Sequence, residues 1–112
     1  MSDTGLYSNW YERIRSMAEL VDKALIELRS SAPQRTASIA LKDVLTQPIT
    51  SATLSRQVLT VLLKDSHSKL NLVRIGSDLS THNVPPTAIE DLETLAELLE
   101  HERANTMAQL RK

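Results

Sequence analysis

Two long apolar stripes, one near each end of the chain, most constrain how it can fold. Apolar side chains recur at steps of three and four residues from Trp10 to Leu28, and again from Ile89 to Leu110. These steps place side chains on one face of an α-helix. Each end of the chain is therefore predicted to form a helix of roughly six turns that needs a partner surface.

The composition extends this prediction to the whole chain. Its 112 residues suit a single domain, which at this length buries a hydrophobic core without a disulfide or metal. Only 2 Gly and 4 Pro are present, too few for a turn-rich β-fold, and there is no Phe. We expect one all-α domain over residues 1–112, a four- or five-helix bundle with two long terminal helices packed around a central helix.

Capping residues and prolines set the expected helix boundaries. Ser8 is a good N-cap, Pro48 ends the second helix, and Thr87 with Glu90 has the spacing of a capping box. Residues 66–83 permit a short helix or a strand, and helix is favoured because a single strand has no obvious mate. The predicted helices cover residues 8–29, 34–46, 51–64, 68–80 and 88–110.

The third predicted helix carries apolar side chains on two sides. Leu54, Val58 and Val61 share one side, and Leu59 and Leu63 lie on the other. A helix that is apolar on both sides is usually interior. We therefore expect this helix at the centre of the bundle.

The first helix also has a charged face. Arg15, Glu19, Lys23 and Glu27 follow one another at steps of four, opposite the apolar stripe. Such i,i+4 pairs of alternating sign are typical of a solvated helix face. We expect this ladder to face water.

The chain has three aromatic residues, which lie within about one helical turn of each other. Trp and Tyr dominate binding hot spots, so these side chains are candidate anchors for a protein partner; alternatively, they close the end of the bundle. A second candidate patch lies on the last helix, where Arg103 interrupts the stripe and the helix either packs the Arg103 stem or projects beyond the core. The predicted protein-binding residues are Tyr7, Trp10, Tyr11, Leu98, Met107 and Leu110.

Charge is distributed unevenly, although the net charge is only −1. Residues 29–74 hold seven basic and two acidic side chains, whereas residues 75–102 hold seven acidic side chains and no Lys or Arg. The basic segment is rich in Ser and Thr, which also contact phosphates. If the two segments pack together, however, their charges neutralise each other. The candidate nucleic-acid contacts are Arg35, Arg56, Lys64, Lys69 and Arg74.

The residues needed for catalysis are scattered or absent. Cys is absent, His67, His82 and His101 are far apart in sequence, and Glu97 with His101 supplies at most two metal ligands. We therefore predict no enzyme activity, no metal, no cofactor and no small-molecule substrate. The polar N-terminus and the short apolar runs indicate no signal peptide, no membrane segment and a cytoplasmic location.

These observations favour a non-catalytic helical subunit, adaptor or inhibitor that works within a larger assembly. It would bind a protein partner or a second copy of itself. The alternative is a helical nucleic-acid-associated subunit that contacts the phosphate backbone through residues 29–74. The two differ in salt dependence, because a phosphate binder loses affinity steeply as salt rises.

Overall fold

The part of the chain that the structure describes folds into five helices. A computed structural model describes residues 3–30, 34–46, 54–81 and 83–110, and all regular structure in these ranges is helical. The helices are α1 (Asp3–Arg29), α2 (Thr36–Thr46), α3 (Leu54–Ser66), α4 (Leu72–Leu79) and α5 (Pro86–Leu110). The predicted all-α bundle is confirmed: the long first and last helices pack on the shorter helices between them. The helix prediction for residues 66–83 is confirmed for 72–79, where α4 lies.

The two terminal helices form the most extensive contact in the molecule. They run in opposite directions, since Trp10 near the start of α1 meets Glu102, whereas Arg29 at its end meets Glu93. The molecule measures 48 × 29 × 24 Å along its principal axes. A helix of this length spans about 40 Å, so the α1–α5 pair accounts for most of the long axis.

The two apolar stripes form the core between these helices. Each stripe lies on the covered face of its helix, and Leu41 and Leu45 of α2 and Ile75 of α4 are buried with them. The buried members of the predicted stripes are Ile14, Met17, Val21, Ala24, Leu92 and Leu99. Leu95 of α5, which is not part of the predicted stripe, is buried beside them, and Ile89 and Ala96 are half-buried. The spacing of three and four residues therefore marks the core as predicted.

Helix α3 buries one side against α1, α5 and α2. Val58 and Leu59 are almost fully buried, and Leu62 joins them in the core. Val61, which was expected on the same side as Val58, is in contrast 43% exposed, so this helix is buried on one side and not on the two sides that its apolar pattern predicts. Leu63 is only half-buried, and the Leu54 side chain lies outside the described residues.

A carboxylate from α1 caps the beginning of α2. Glu27 accepts hydrogen bonds from the N–H groups of Ala37 and Ser38, at 2.9 and 3.0 Å, and from the Ser38 hydroxyl at 3.0 Å. Partial desolvation raises the pKa of Glu27, but these hydrogen bonds and the charge of Arg35 outweigh it and leave the pKa below its ordinary value. Two N–H groups that a helix start leaves unpaired are thereby satisfied.

The cap removes one residue from the charged ladder predicted on α1. Arg15 pairs with Glu12 at 2.6 Å and with Glu19 at 3.5 Å, all exposed, as expected for a solvated face. Glu27 instead turns toward α2, because the unpaired N–H groups there offer stronger hydrogen bonds than an exposed Lys23 does. The expectation that Glu27 belongs to the solvated ladder is therefore wrong.

Helix α4 packs closely on α2 through Gly76. A Cβ atom at Gly76 would lie 2.6 Å from Thr46 Cγ2 and 3.1 Å from Leu45 Cβ, so only glycine permits this approach. At the start of α4, the Asn71 side chain accepts a hydrogen bond from Arg74 N–H at 3.0 Å and acts as the N-cap. Helix α4 thus begins four residues after the predicted start at residue 68.

Several other boundaries differ from the prediction. Helix α1 begins at Asp3, because a serine such as Ser8 is only mildly unfavourable inside a helix. Helix α5 begins at Pro86, where proline suits the first helical position, and Ala88 N–H donates to the Pro85 carbonyl at 3.0 Å. Thr87 therefore lies inside the first turn and is not the N-cap. Helix α2 begins at residue 36, α3 ends at residue 66, and the predicted α3 start at residue 51 lies outside the described residues.

Candidate protein-binding surface

Trp10 is shared between the core and the surface. Helix α1 places it opposite the last part of α5, half-buried and packed on the hydrophobic core. Its Nε1 donates to Glu102 Oε1 at 3.5 Å, at the weak limit of hydrogen bonding. One part of the indole is thus fixed while another part stays accessible.

Tyr11 lies beside Trp10 and is bonded to a different residue of α5. Its hydroxyl accepts a hydrogen bond from Arg103 Nη1 at 3.2 Å, and Arg103 also forms an ion pair with Glu100. The hydrogen bonds to Glu100 and then to Tyr11 raise the pKa of Arg103 further above its ordinary value. The guanidinium, which is charged at any ordinary pH, thus joins the Tyr11 hydroxyl to the Glu100 carboxylate.

Arg103 does not mark the point where α5 leaves the core. Thr106, three residues later, is only 3% exposed, and its hydroxyl donates to the Glu102 carbonyl. Helix α5 is therefore covered at least to residue 106. Arg103 itself is half-buried, which fits a stem that packs while its charged end reaches the surface.

The structure does not gather Leu98 and Met107 into one patch. Both are half-buried, but they are nine residues apart and so lie on opposite sides of α5. Leu98 packs on the core and lies one turn before Glu102, on the same side of α5. Met107 lies one turn after Arg103, on the side of Tyr11. The side chains of Tyr7 and Leu110 lie outside the described residues.

The resulting surface, which we call the aromatic end, joins residues of both terminal helices. Trp, Tyr, Arg and Met are the residue types enriched at protein interfaces. The sequence analysis predicts Trp10 and Tyr11 as binding residues, but nothing in the sequence indicates that Glu102 faces Trp10. The aromatic end consists of Trp10, Tyr11, Glu102, Arg103 and Met107.

Two of the candidate phosphate-contacting residues, Arg35 and Arg74, lie close to carboxylates. Arg74 forms an ion pair with Asp91 at 2.8 Å, and Arg35 lies close enough to Glu27 to lower its pKa. Lys64 and Lys69 are exposed, and the Arg56 side chain lies outside the described residues. Arg29 also pairs with Glu93 at 3.1 Å. The basic segment thus packs partly against the acidic start of α5, which neutralises some of its charge.

A cleft beside α3 is a feature that the sequence analysis missed. It has a volume of about 470 Å³ and lies between Thr60 and Leu63 of α3 and residues 68–73. The cleft results from a sharp reversal of the chain at His67, which has a positive φ of 55°. No Gly lies at this reversal, so the usual sequence signal for a left-handed turn is absent there.

The described residues contain no arrangement suited to metal binding. No three His, Asp or Glu side chains come together in that part of the chain; His67 and His101 are exposed, and His82 lies outside it. Among the described helices, none is both long and apolar enough to span a bilayer. Comparison of the chain with protein-family models, curated proteins and solved structures gives no match.

Proposed function

We propose that the protein is a non-catalytic helical subunit, adaptor or inhibitor that binds a protein partner in a cytoplasmic assembly. The aromatic end is its contact surface. The observation that supports this most is the state of Trp10 and Tyr11. Both rings are partly accessible, and each makes a polar contact with the opposite helix: Tyr11 with Arg103 at 3.2 Å, and Trp10 more weakly with Glu102 at 3.5 Å.

Large rings held in place bind at a lower entropic cost. A mobile side chain loses rotamer freedom on binding, and this loss reduces affinity. The Tyr11 hydroxyl is already bonded to Arg103, so much of that freedom is lost before a partner arrives. Aromatic side chains of this kind commonly supply most of an interface's binding energy.

Charges on α5 would orient the partner. The exposed Glu97 gives the outer face of this helix a negative charge, between Glu93 and Glu100, which pair with Arg29 and Arg103 respectively. Charges at the rim of an interface mainly affect the association rate and the orientation of the partner. A partner with a basic rim around an apolar pocket fits the aromatic end.

Affinity capture from the native host tests the proposal. Three baits are compared: the wild-type chain, Tyr11→Ala, and Lys23→Ala as a control on the exposed face of α1. We expect a protein partner that the wild type and Lys23→Ala retain equally and that Tyr11→Ala loses. Equal capture by all three baits would show that the aromatic end is not the contact surface.

A nuclease arm in the same experiment separates the alternative function. Lys64 and Lys69 are exposed and form no ion pair with a described residue, which leaves them available for phosphate. If nuclease removes the captured material, and capture falls steeply with salt, the nucleic-acid function replaces the proposed one. Material that survives nuclease supports a protein partner.

A further inference from the structure

The cleft beside α3 is built by the way this helix ends. His67 N–H donates to the Lys64 carbonyl at 3.3 Å, and Ser68 N–H donates to the Leu63 carbonyl at 3.1 Å. This is the hydrogen-bond pattern of a Schellman motif, with His67 in the left-handed position. The motif turns residues 68–71 back beside α3, and the cleft lies between the two.

Some of the polar groups that line the cleft are used by the turn. Ser68 Oγ accepts a hydrogen bond from Leu70 N–H, and the Asn71 side chain accepts one from Arg74 N–H. Leu63 and Leu70 are half-buried, and Val73 is 52% exposed. Three aliphatic side chains therefore remain partly uncovered along the cleft.

Lysines supply the charge of this surface. Lys69 lines the cleft, and Lys64 lies one turn after Thr60, on the same side of α3. Both lysines are exposed, and neither forms an ion pair with a described residue. None of the described residues that line the cleft carries a carboxylate. The cleft thus combines partly uncovered aliphatic side chains with positive charge.

We propose that the cleft binds an acidic peptide segment of another protein, one that carries large aliphatic side chains. The aliphatic groups would contact Leu63, Leu70 and Val73, and the carboxylates would pair with Lys64 and Lys69. This site involves α3 and α4, whereas the aromatic end involves α1 and α5. It does not depend on the aromatic end being an interface.

The exposure of the walls favours a peptide over a small molecule. Small-molecule sites bury most of their ligand's surface. Here Val73, Lys69 and Asn71 are all exposed, so a small ligand would remain largely in water. A peptide that extends beyond the cleft on both sides covers these walls and excludes water from them.

Selection from a random-peptide phage library on the full chain tests the proposal. The targets are the wild type, the double variant Lys64→Glu/Lys69→Glu, and Lys23→Glu as a matched control on α1; circular dichroism checks that all three are folded. We expect enriched peptides that combine Asp or Glu with Leu, Ile or Phe. Their affinity should fall by about tenfold or more in the double variant and stay unchanged in the control.

Amide chemical shifts of the isotope-labelled chain then locate the bound peptide. We expect changes concentrated at residues 60–64 and 68–73. Enrichment of basic or uncharged peptides, equal binding to the double variant, shift changes elsewhere, or no enrichment at all would each overturn the proposal. Laurate is added to a separate sample as a small amphiphile. If laurate shifts the amide signals of the cleft and no peptide binds, the cleft is a site for small amphiphiles and the proposal is overturned.

Discussion

Helix α2 is held by short, partly buried hydrogen bonds to α1 and by close packing against α4. At the aromatic end, in contrast, the polar contacts are long or more exposed. Ser38 is fully buried and hydrogen-bonded to Glu27, and Gly76 lets two helices touch. Trp10, in contrast, meets Glu102 at 3.5 Å and stays half-buried. The difference indicates that the contacts of α2 stabilise the fold. We call them the α2 region, which consists of Glu27, Ala37, Ser38, Leu45, Thr46 and Gly76. The aromatic end is left with accessible surface for recognition.

The largest expected effect compares the same substitution in the α2 region and on α5, where Leu98 lies one turn before Glu102 of the aromatic end. Leu45→Ala removes a fully buried side chain and should lower the free energy of unfolding by about 2–5 kcal/mol. Leu98→Ala, at a half-buried position of α5, should cost about half as much, since less surface is covered. Urea unfolding curves of both variants measure the difference. Equal costs would remove the proposed contrast between the regions.

The cap on α2 gives the next largest effect. Glu27→Gln weakens hydrogen bonds to two N–H groups and the Ser38 hydroxyl, and should cost about 1–2 kcal/mol at neutral pH. Glu19→Gln, on the exposed face of the same helix, is the control and should change stability little.

The contribution of Glu27 should also depend on pH. Its pKa is lower in the folded chain than in the unfolded one, so the stabilisation is present above the ordinary pKa of a glutamate and is lost as pH falls through the lower pKa of the folded chain. Thermal unfolding of the wild type and Glu27→Gln across this range should show the two curves converging in acid. A gap that stays constant with pH would contradict the charged cap.

A smaller effect is expected at the contact between α2 and α4. Gly76→Ala improves helix propensity by about 1 kcal/mol but places a Cβ 2.6 Å from Thr46 Cγ2, and overpacking costs about 1–3 kcal/mol. We expect net destabilisation of about 1 kcal/mol. The double variant Gly76→Ala/Thr46→Ser lacks the clashing methyl group and should recover part of the loss. If Gly76→Ala stabilises the protein, the helices are less closely packed than described.

The smallest effect on stability is expected at the aromatic end. Tyr11→Ala removes a half-buried ring and should change the free energy of unfolding by less than about 1 kcal/mol, while partner capture falls. Thermal unfolding and the capture assay use the same preparation. A loss as large as that of Leu45→Ala would place Tyr11 among the stabilising residues and weaken its proposed binding role.

The sequence predicted the helices better than it predicted their contacts. The spacing of apolar residues is local, so the core faces of α1 and α5 followed from it directly, as for Ile14 and Leu99. The carboxylate of Glu27 was assigned to solvent, because its partners lie on another helix. The start of α4 is indicated by Asn71, a favoured N-cap residue three positions before Arg74, and the predicted start at residue 68 does not take it into account.

The candidate surfaces were predicted only in part. The aromatic residues were visible in the sequence, but whether Leu98 and Met107 share a face with them depends on how α5 is rotated against α1. The cleft was invisible, since it requires a left-handed residue at His67, and a non-glycine residue seldom takes this conformation. Pairing of Arg74 with Asp91 likewise depends on the packing of α4 on α5.

The cap that Glu27 provides also bears on the order in which the chain folds. It joins residues only 10 and 11 positions apart, whereas the Trp10–Glu102 contact joins residues 92 positions apart. Closing a short loop costs less entropy and is faster than closing a long one. We therefore expect the α1–α2 hairpin to form first and to serve as the nucleus on which α5 docks, with the aromatic end assembled last.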